Sequence, residues 1–280
     1  YPRNPCQTPH RFSGFYYRES YALRDLTAYL KPYKITDRKI QKIYEEFGRD
    51  SLDTVKNRPF ALCGISGFGF LTVDEIASAN QCKLNDPMRI EGCIDYCMDQ
   101  MMKDMELKEK TGSSSLAFLT GMIPHHESAI EMSEEYLKYA PEDAHFRKLA
   151  EDIITAQTSE IEQMKNMMED IKSGYQTDGT KEEAYLKEYD EMMEGHHSGH
   201  GSSDTQDLDT AFAEGMVMHH QMAVDMAETI IKYSDNDSVT DYANSVIELQ
   251  EQEISQMQDF LDGKNGSGNT QDRKSTRLNS

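Results

Sequence analysis

The hydrophobic pattern of this chain changes character near residue 100. From residue 20 onward, apolar positions come in short helical runs broken by turns. KITDRKIQKIYEEFG (34–48) places Ile35, Ile40, Ile43 and Phe47 at helical spacing, with Gly48 as a stop signal. RPFALCGISGFGFLTVDEIASAN (58–80) predicts a helix, a tight Gly67-Phe68-Gly69 hairpin and a second helix, with glycine permitting positive φ and close backbone approach. Asp86-Pro87 opens another helix whose periodicity runs past Met98. From Ser115 the helices lengthen: 116–139, ended by Ala140-Pro141, and 143–172, ended by Ser173-Gly174. A polar stretch, 173–206, is expected to be a linker, and a second helical pair follows at 210–233 and 237–262.

The second pair echoes the first. GMIPHHESAIEM (121–132) and GMVMHHQMAVDM (215–226) share Gly, Met, His, His, Ala and Met at an interval of 94 residues. ITAQTSEIEQM (154–164) and IELQEQEISQM (247–257) then share Gln157/Gln250, Glu160/Glu253, Ile161/Ile254 and Met164/Met257. Two copies of an amphipathic hairpin make four helices, the minimum that closes an up-and-down bundle. The expected fold is therefore all-α: a duplicated-hairpin four-helix bundle at 98–262, preceded by a small helix-hairpin-helix domain at 1–97.

Composition separates the same two parts. Residues 1–100 hold 14 Lys/Arg against 13 Asp/Glu, whereas 101–280 hold 15 against 37. The acidic part repels nucleic acid and anionic membranes and attracts cations. Cys6, Cys63, Cys82, Cys93 and Cys97 all precede residue 100, a usage that fits a reducing compartment, while the cysteine-free remainder tolerates an oxidising one. Eight of nine His and sixteen of seventeen Met lie after residue 97. The longest apolar stretch, 60–73, is too short and glycine-interrupted to span a bilayer, so no membrane insertion is expected.

At about 100° per residue, Met122, His125, His126, Ala129 and Met132 fall within an arc of about 120° on one helix face. Methionine at helical spacing is ordinarily core filler. A core, however, needs apolar residues and not the same His-His pair twice, and adjacent imidazoles are costly to bury without partners. Thioether plus imidazole is a soft-to-borderline donor set that favours Cu(I) and also accepts Cu(II). A zinc-protease reading fails because His126-Glu127 is not followed by His at position 130, which is Ile. A di-iron reading is weakened because Glu142-x-x-His145 falls at a turn and Glu194-x-x-His197 in the linker.

These motifs resemble the DUF305 family, ferritin-like four-helix proteins of bacteria linked to copper binding and tolerance, usually outside the cytoplasm. The resemblance covers about 98–262. It implies copper ligation by Met122, His125, His126 and Met132, and by Met216, His219, His220 and Met226. Met218, Met222, Met164 and Met257 are further thioether candidates, and His196, His197 and His200 form a His-rich tract that could hold metal loosely. The implied role is sequestration, handover or tolerance rather than catalysis, with copper ions, and a copper exporter or chaperone, as partners.

FALCGISGFGFLTVDEIA, with KIYEEFGRDSLDTVKNRPFAL before it, resembles the helix-hairpin-helix region of bacterial RecD-like DNA helicases. The resemblance implies phosphate contact by the backbone at Gly67 and Gly69, weak DNA binding by 1–97 and a cytoplasmic setting for that part. The rival function is accordingly a DNA-binding accessory region. No GxxxxGK[ST] motor motif occurs in the chain. DRKSTRLNS (272–280) resembles translated sequencing adapter. Residues 263–280 are therefore expected to be a disordered, artefactual tail, and the whole a fused or chimeric open reading frame.

Overall fold

The computed structural model describes residues 13–83, 85–107, 109–174, 178–196 and 207–275, with side chains described from 21 to 264 except at His196. The chain forms two compact units, Tyr1–Leu84 and Asn85–Ser280. All regular structure among the described residues is helical.

In the first unit α1 (Ser13–Leu30), α2 (Asp37–Phe47), α3 (Ser51–Asn57) and α4 (Phe70–Ala79) enclose Leu26, Leu30, Ile40, Ile43, Val55, Leu62, Val73 and Ile76. Thr36 caps α2 by accepting from the Lys39 N–H, and Gly48 ends it at φ +56°. The segment expected to be the first helix of the hairpin motif is a 3-10 run, Pro59–Gly64. Gly67 takes φ +100°, but Gly69 sits at −91° as the residue before α4, so only Gly67 uses glycine's conformational freedom.

The second unit contains α5 (Pro87–Asp104), α6 (Ser114–Tyr139), α7 (Arg147–Gly174), α8 (Gly179–His196), α9 (Leu208–Tyr233) and α10 (Asp237–Ser275). α6 and α9 form the central pair; α7 packs on α6 and α10 on α9, while α5 and α8 each pack against both central helices. The pair is antiparallel, as its ends show. At the start of α6, Ser113 donates to Asp235 (3.0 Å) and Ser114 to the Tyr233 carbonyl (2.6 Å), just beyond and at the end of α9. At the other end of α6, the Tyr136 hydroxyl donates to Asp209 in the first turn of α9 and its ring stacks on Phe212 at 4.4 Å.

Three boundaries differ from those expected. α5 belongs wholly to the bundle unit, which begins at Asn85 and not at 98; burial of Ile90, Cys93, Ile94, Cys97, Met98 and Met101 holds it there. The linker at 173–206 contains α8. Tyr185, Tyr189 and Met193, four residues apart, bury one stripe, and Tyr189 donates to the Met105 carbonyl at 3.0 Å. Glu182 extends that stripe inward and accepts from the Thr111 and Gly112 backbone N–H groups. Finally, α10 continues to Ser275, past the expected tail boundary at 263; adding residues to an existing helix carries no new nucleation cost. Residues 276–280 lie outside the described residues. No described helix is long and apolar enough to cross a membrane.

The repeated glycines seat the two outer helices. A Cβ at Gly215 on α9 would lie 2.4 Å from Cγ2 of Ile94 on α5, and one at Gly121 on α6 would lie 3.1 Å from the Tyr189 hydroxyl on α8. Alanine gains about 1 kcal/mol of helix propensity over glycine, whereas overpacking costs about 1–3 kcal/mol. Ile94 is branched next to the backbone and cannot swing away; the Tyr189 hydroxyl is the far end of its side chain. We expect Gly215→Ala to lower the denaturation midpoint and Gly121→Ala to leave it nearly unchanged. A double-mutant cycle with Ile94→Ala should recover the Gly215→Ala loss, and additivity in that cycle would refute the steric account.

Candidate metal centre

Both His-His pairs lie in the interior of the central helix pair. His125, His126, His219 and His220 are each fully buried. The Nε2 of His125 meets the carbonyl oxygen of His219 at 3.0 Å, and the Nε2 of His219 meets the carbonyl of His125 at 3.0 Å. The two rings approach to 3.8 Å between centroids. A carbonyl oxygen only accepts, so each Nε2 carries the proton and donates it. The reciprocal pair marks a local two-fold relation between α6 and α9.

The outer histidines turn to the flanking helices. His126 Nε2 lies 2.9 Å from Glu160 Oε2 on α7, and His220 Nε2 lies 2.7 Å from Glu253 Oε2 on α10. A carboxylate likewise accepts, which places the proton on Nε2 in both rings. The two halves differ in one contact: the Tyr242 hydroxyl on α10 also reaches His126 Nε2, at 3.1 Å. Burial, and secondarily the charge of Glu160, pushes the Tyr242 pKa upward, so the phenol stays protonated.

With the Nε2 atoms donating, His125 and His219 present bare Nδ1 lone pairs, and the Nδ1 atoms of His126 and His220 are buried as well. None has a hydrogen-bond partner, nor have the buried amide oxygens of Gln157 and Gln250. Burial holds the His125 pKa well below the ordinary histidine value, helped by the facing His219; burial does the same for His219, helped by His220. An unpartnered buried acceptor costs roughly 1–3 kcal/mol, which a bound water or ion would offset.

The same four helices bury the repeated thioethers. Met122, Met132, Met164, Met216, Met226 and Met257 are at most 1% exposed, and Met222 is 2% exposed. The Met226 methyl reaches from α9 to within 3.5 Å of the Cβ position of Gly121 on α6. Met132 accepts from the Ser128 hydroxyl at 3.9 Å; the second copy has Met222 in place of that serine. Met218 is half-buried and lines a small groove between α5 and α9 with Glu91, Asp95 and Glu214. His197 and His200 lie outside the described residues, as does the side chain of His196. Among the described residues no three His, Cys, Asp or Glu side chains converge as a ligand cluster. The Nε2 atoms are committed elsewhere, which leaves Nδ1 as the nitrogen an ion could use.

Glu160 and Glu253 were missed as site residues by sequence reasoning, although their recurrence at matching positions was the available signal. Glu253 also lies on the floor of a groove of ≈ 530 Å³ between α7 and α10, lined in addition by Asp152, Gln252, Gln256 and Asp259. It thereby connects the buried His220 with a polar opening.

The family model for DUF305, a domain of unknown function, matches residues 86–168 and 115–261. The chain belongs to the DUF305 family. Residues 19–105 match the helix-hairpin-helix domain of the ATP-dependent RecD2 DNA helicase, so both models include α5. The RecD2 helicase of Deinococcus radiodurans is 33% identical over 75 residues, which is 27% of this chain and 10% of the helicase. Uncharacterized protein L153 of Acanthamoeba polyphaga mimivirus is 40% identical over 55 residues, 20% of this chain and 36% of that protein. The chain thus matches well under two thirds of either relative. A solved structure of CopM in an Ag-bound form, obtained by soaking, aligns with 27% identity and a TM-score of 0.40 over 53% of this chain and 95% of that one.

The depressed histidines set a pH dependence for the metal-free protein. Below the unfolded pKa of about 6.5 the unfolded chain binds protons at positions 125 and 219 that the folded chain refuses. Stability from these groups is therefore complete above pH 6.5 and declines as pH falls toward their folded values, by up to about 1.4 kcal/mol per pH unit for each histidine. His125→Gln with His219→Gln retains an N–H donor for each carbonyl but removes the titration. We expect its urea midpoint between pH 6.5 and 5 to vary less than that of the parent. Equal slopes would refute the assignment.

Proposed function

We propose that the second unit binds copper, preferentially Cu(I), for sequestration or handover, and carries out no catalysis. The observation that supports this reading is the set of four buried Nδ1 atoms without partners, on helices that also bury the repeated methionines. Imidazole and thioether together suit Cu(I), and among the described residues no three His, Cys, Asp or Glu side chains form the nitrogen and oxygen cluster that a harder ion prefers. In this reading Met122, His125, His126 and Met132 serve one half and Met216, His219, His220 and Met226 the other. Glu160 and Glu253 hold the outer imidazoles in the tautomer that aims Nδ1 inward. The acidic groove beside Glu253 is the route by which a cation reaches the interior. A copper chaperone or exporter is the fitting partner, and the cysteine-free sequence from α6 onward suits an extracytoplasmic setting.

Competition of Cu(I) against a chromogenic chelator tests this. To isolate the histidine sites, Cys6, Cys63 and Cys82 are replaced by Ser and Cys93 and Cys97 by Ala in the full chain. We expect Cu(I) to bind far more tightly than Zn(II), and affinity to fall below pH 6.5 as imidazoles protonate. Glu160→Gln with Glu253→Gln should weaken binding about 10- to 100-fold, and His126→Ala with His220→Ala should weaken it more. Leu at positions 122, 132, 216 and 226 preserves bulk and removes sulfur. If it leaves affinity unchanged, those methionines are core and the histidines alone bind; if the histidine variants also match the parent, the reading is wrong.

The match of 19–105 to a helicase helix-hairpin-helix domain favours a second activity for the first unit, weak duplex DNA binding. Gly67, at φ +100°, sits at the turn, where Lys42 donates to the Ser66 carbonyl (2.6 Å) and the Lys39 ammonium lies 5.2 Å from the Phe68 ring. Backbone contact to phosphate would be independent of base sequence and sensitive to salt. We expect the full chain to bind duplex DNA at low salt, with affinity falling as salt rises and Gly67→Val weakening it. No binding at low salt would leave the first unit as a packing domain.

A further inference from the structure

Helix α5 carries sulfur chemistry that the histidine sites do not use. Arg89, Cys93, Cys97 and Met101 follow one another at intervals of four, one column along the helix. All four are nearly inaccessible, at 6, 7, 1 and 2% exposed. Cys93 and Cys97 are both free and both buried on the same face of the helix, one turn apart. The column meets α6, where Arg89 pairs with Glu135 at 2.5 Å and Glu131 also lies near Cys97.

We propose that Cys93 and Cys97 form a separate soft-metal site that takes one monovalent d10 ion, Cu(I) or Ag(I). Two buried thiols four residues apart on one helix face suit the two-coordinate geometry such ions accept, and thiolate is the donor that selects them. Met101 stands one turn beyond Cys97. Helical side chains lean toward the N-terminus, so its thioether is placed to serve as a third donor.

Binding is a proton exchange. Two S–H bonds break, two S–metal bonds form and two protons leave, so one monovalent cation is traded for two protons. The site's net charge falls by one, a change that the nearby carboxylates of Glu131 and Glu135 oppose and that the pairing of Glu135 with the buried Arg89 moderates. Without metal, the Cys93 contact and burial push the Cys97 thiol upward, so it stays protonated and slow to react. This site does not rest on the histidine reading.

The test uses the full chain with Cys6, Cys63 and Cys82 changed to Ser, so that only Cys93 and Cys97 remain, under a phosphine reductant. Ag(I) and Cu(I) titrations are followed by near-ultraviolet thiolate-to-metal absorption and by the rate of thiol alkylation. We expect the absorption to saturate at one ion per chain, with two protons released and alkylation slowed at least tenfold. Further replacement of Cys93 and Cys97 by Ala should remove the band and one ion from the total, while His126→Ala with His220→Ala, made in the protein that keeps Cys93 and Cys97, should retain both. Met101→Leu should weaken binding without removing the band. Should metal leave the alkylation rate unchanged and produce no band, or should the Cys93→Ala, Cys97→Ala protein hold as many ions as its parent, the thiols are core residues and the site does not exist.

Discussion

The second unit depends on the reciprocal pair of hydrogen bonds between His125 and His219 and each other's backbone carbonyls. Those contacts fix the crossing and the register of α6 and α9, because each bond ties a side chain of one helix to the main chain of the other. They also fix chemistry. Committing Nε2 to a carbonyl leaves Nδ1 as the lone pair, and the 3.8 Å ring approach leaves no room for two imidazolium charges. One constraint thus sets the helix pairing, the tautomer and the neutral state together.

The flanking helices extend this logic outward. Glu160 and Glu253 impose on the outer rings the same tautomer that the carbonyls impose on the inner ones. The repeated glycines perform a different service: at Gly121 and Gly215 the missing side chain lets α8 and α5 lie directly on the central pair. The motif's Gly, His and Met positions therefore divide between seating helices and lining the interior. A core built only to exclude water would need the first and not the histidines, whose unpartnered Nδ1 atoms oppose folding until something binds them.

Much of this was legible in the residues. The 94-residue recurrence predicted paired helices, and α6, α9 and the stop at Ala140-Pro141 follow it within a turn. What escaped did so for physical reasons. α8 lies in a segment whose composition is polar and ends in GHHSGHG, and its buried stripe of Tyr185, Tyr189 and Met193 is too narrow to dominate an average over the segment. α5 was divided between two units because cysteine usage and charge change along it, yet burial is decided by its apolar face, which continues across residue 97. Glu160 and Glu253 were visible as repeats, but only the approach of α7 and α10 to the histidines shows what they hold.

The two copies have also diverged in a directed way. Tyr242 reaches His126, while the position of α7 that corresponds by the 93-residue interval is Leu149, which offers His220 no hydroxyl. Ser128 donates to Met132 in the first copy; Met222 replaces it in the second, and Met218 stands where the first has Pro124. Tyr242 and Ser128 give the first half hydroxyl groups that the second lacks, and Met218 and Met222 give the second thioethers that the first lacks. Glu160 is 18% exposed and Glu253 only 8%, yet it is Glu253 that floors the groove between α7 and α10. The sulfur-richer half thus adjoins the polar opening, and the hydroxyl-buttressed half lies across the His125–His219 contact from it. A soft ion arriving through the groove would meet the second half first. That order is the physical content of calling the halves unequal.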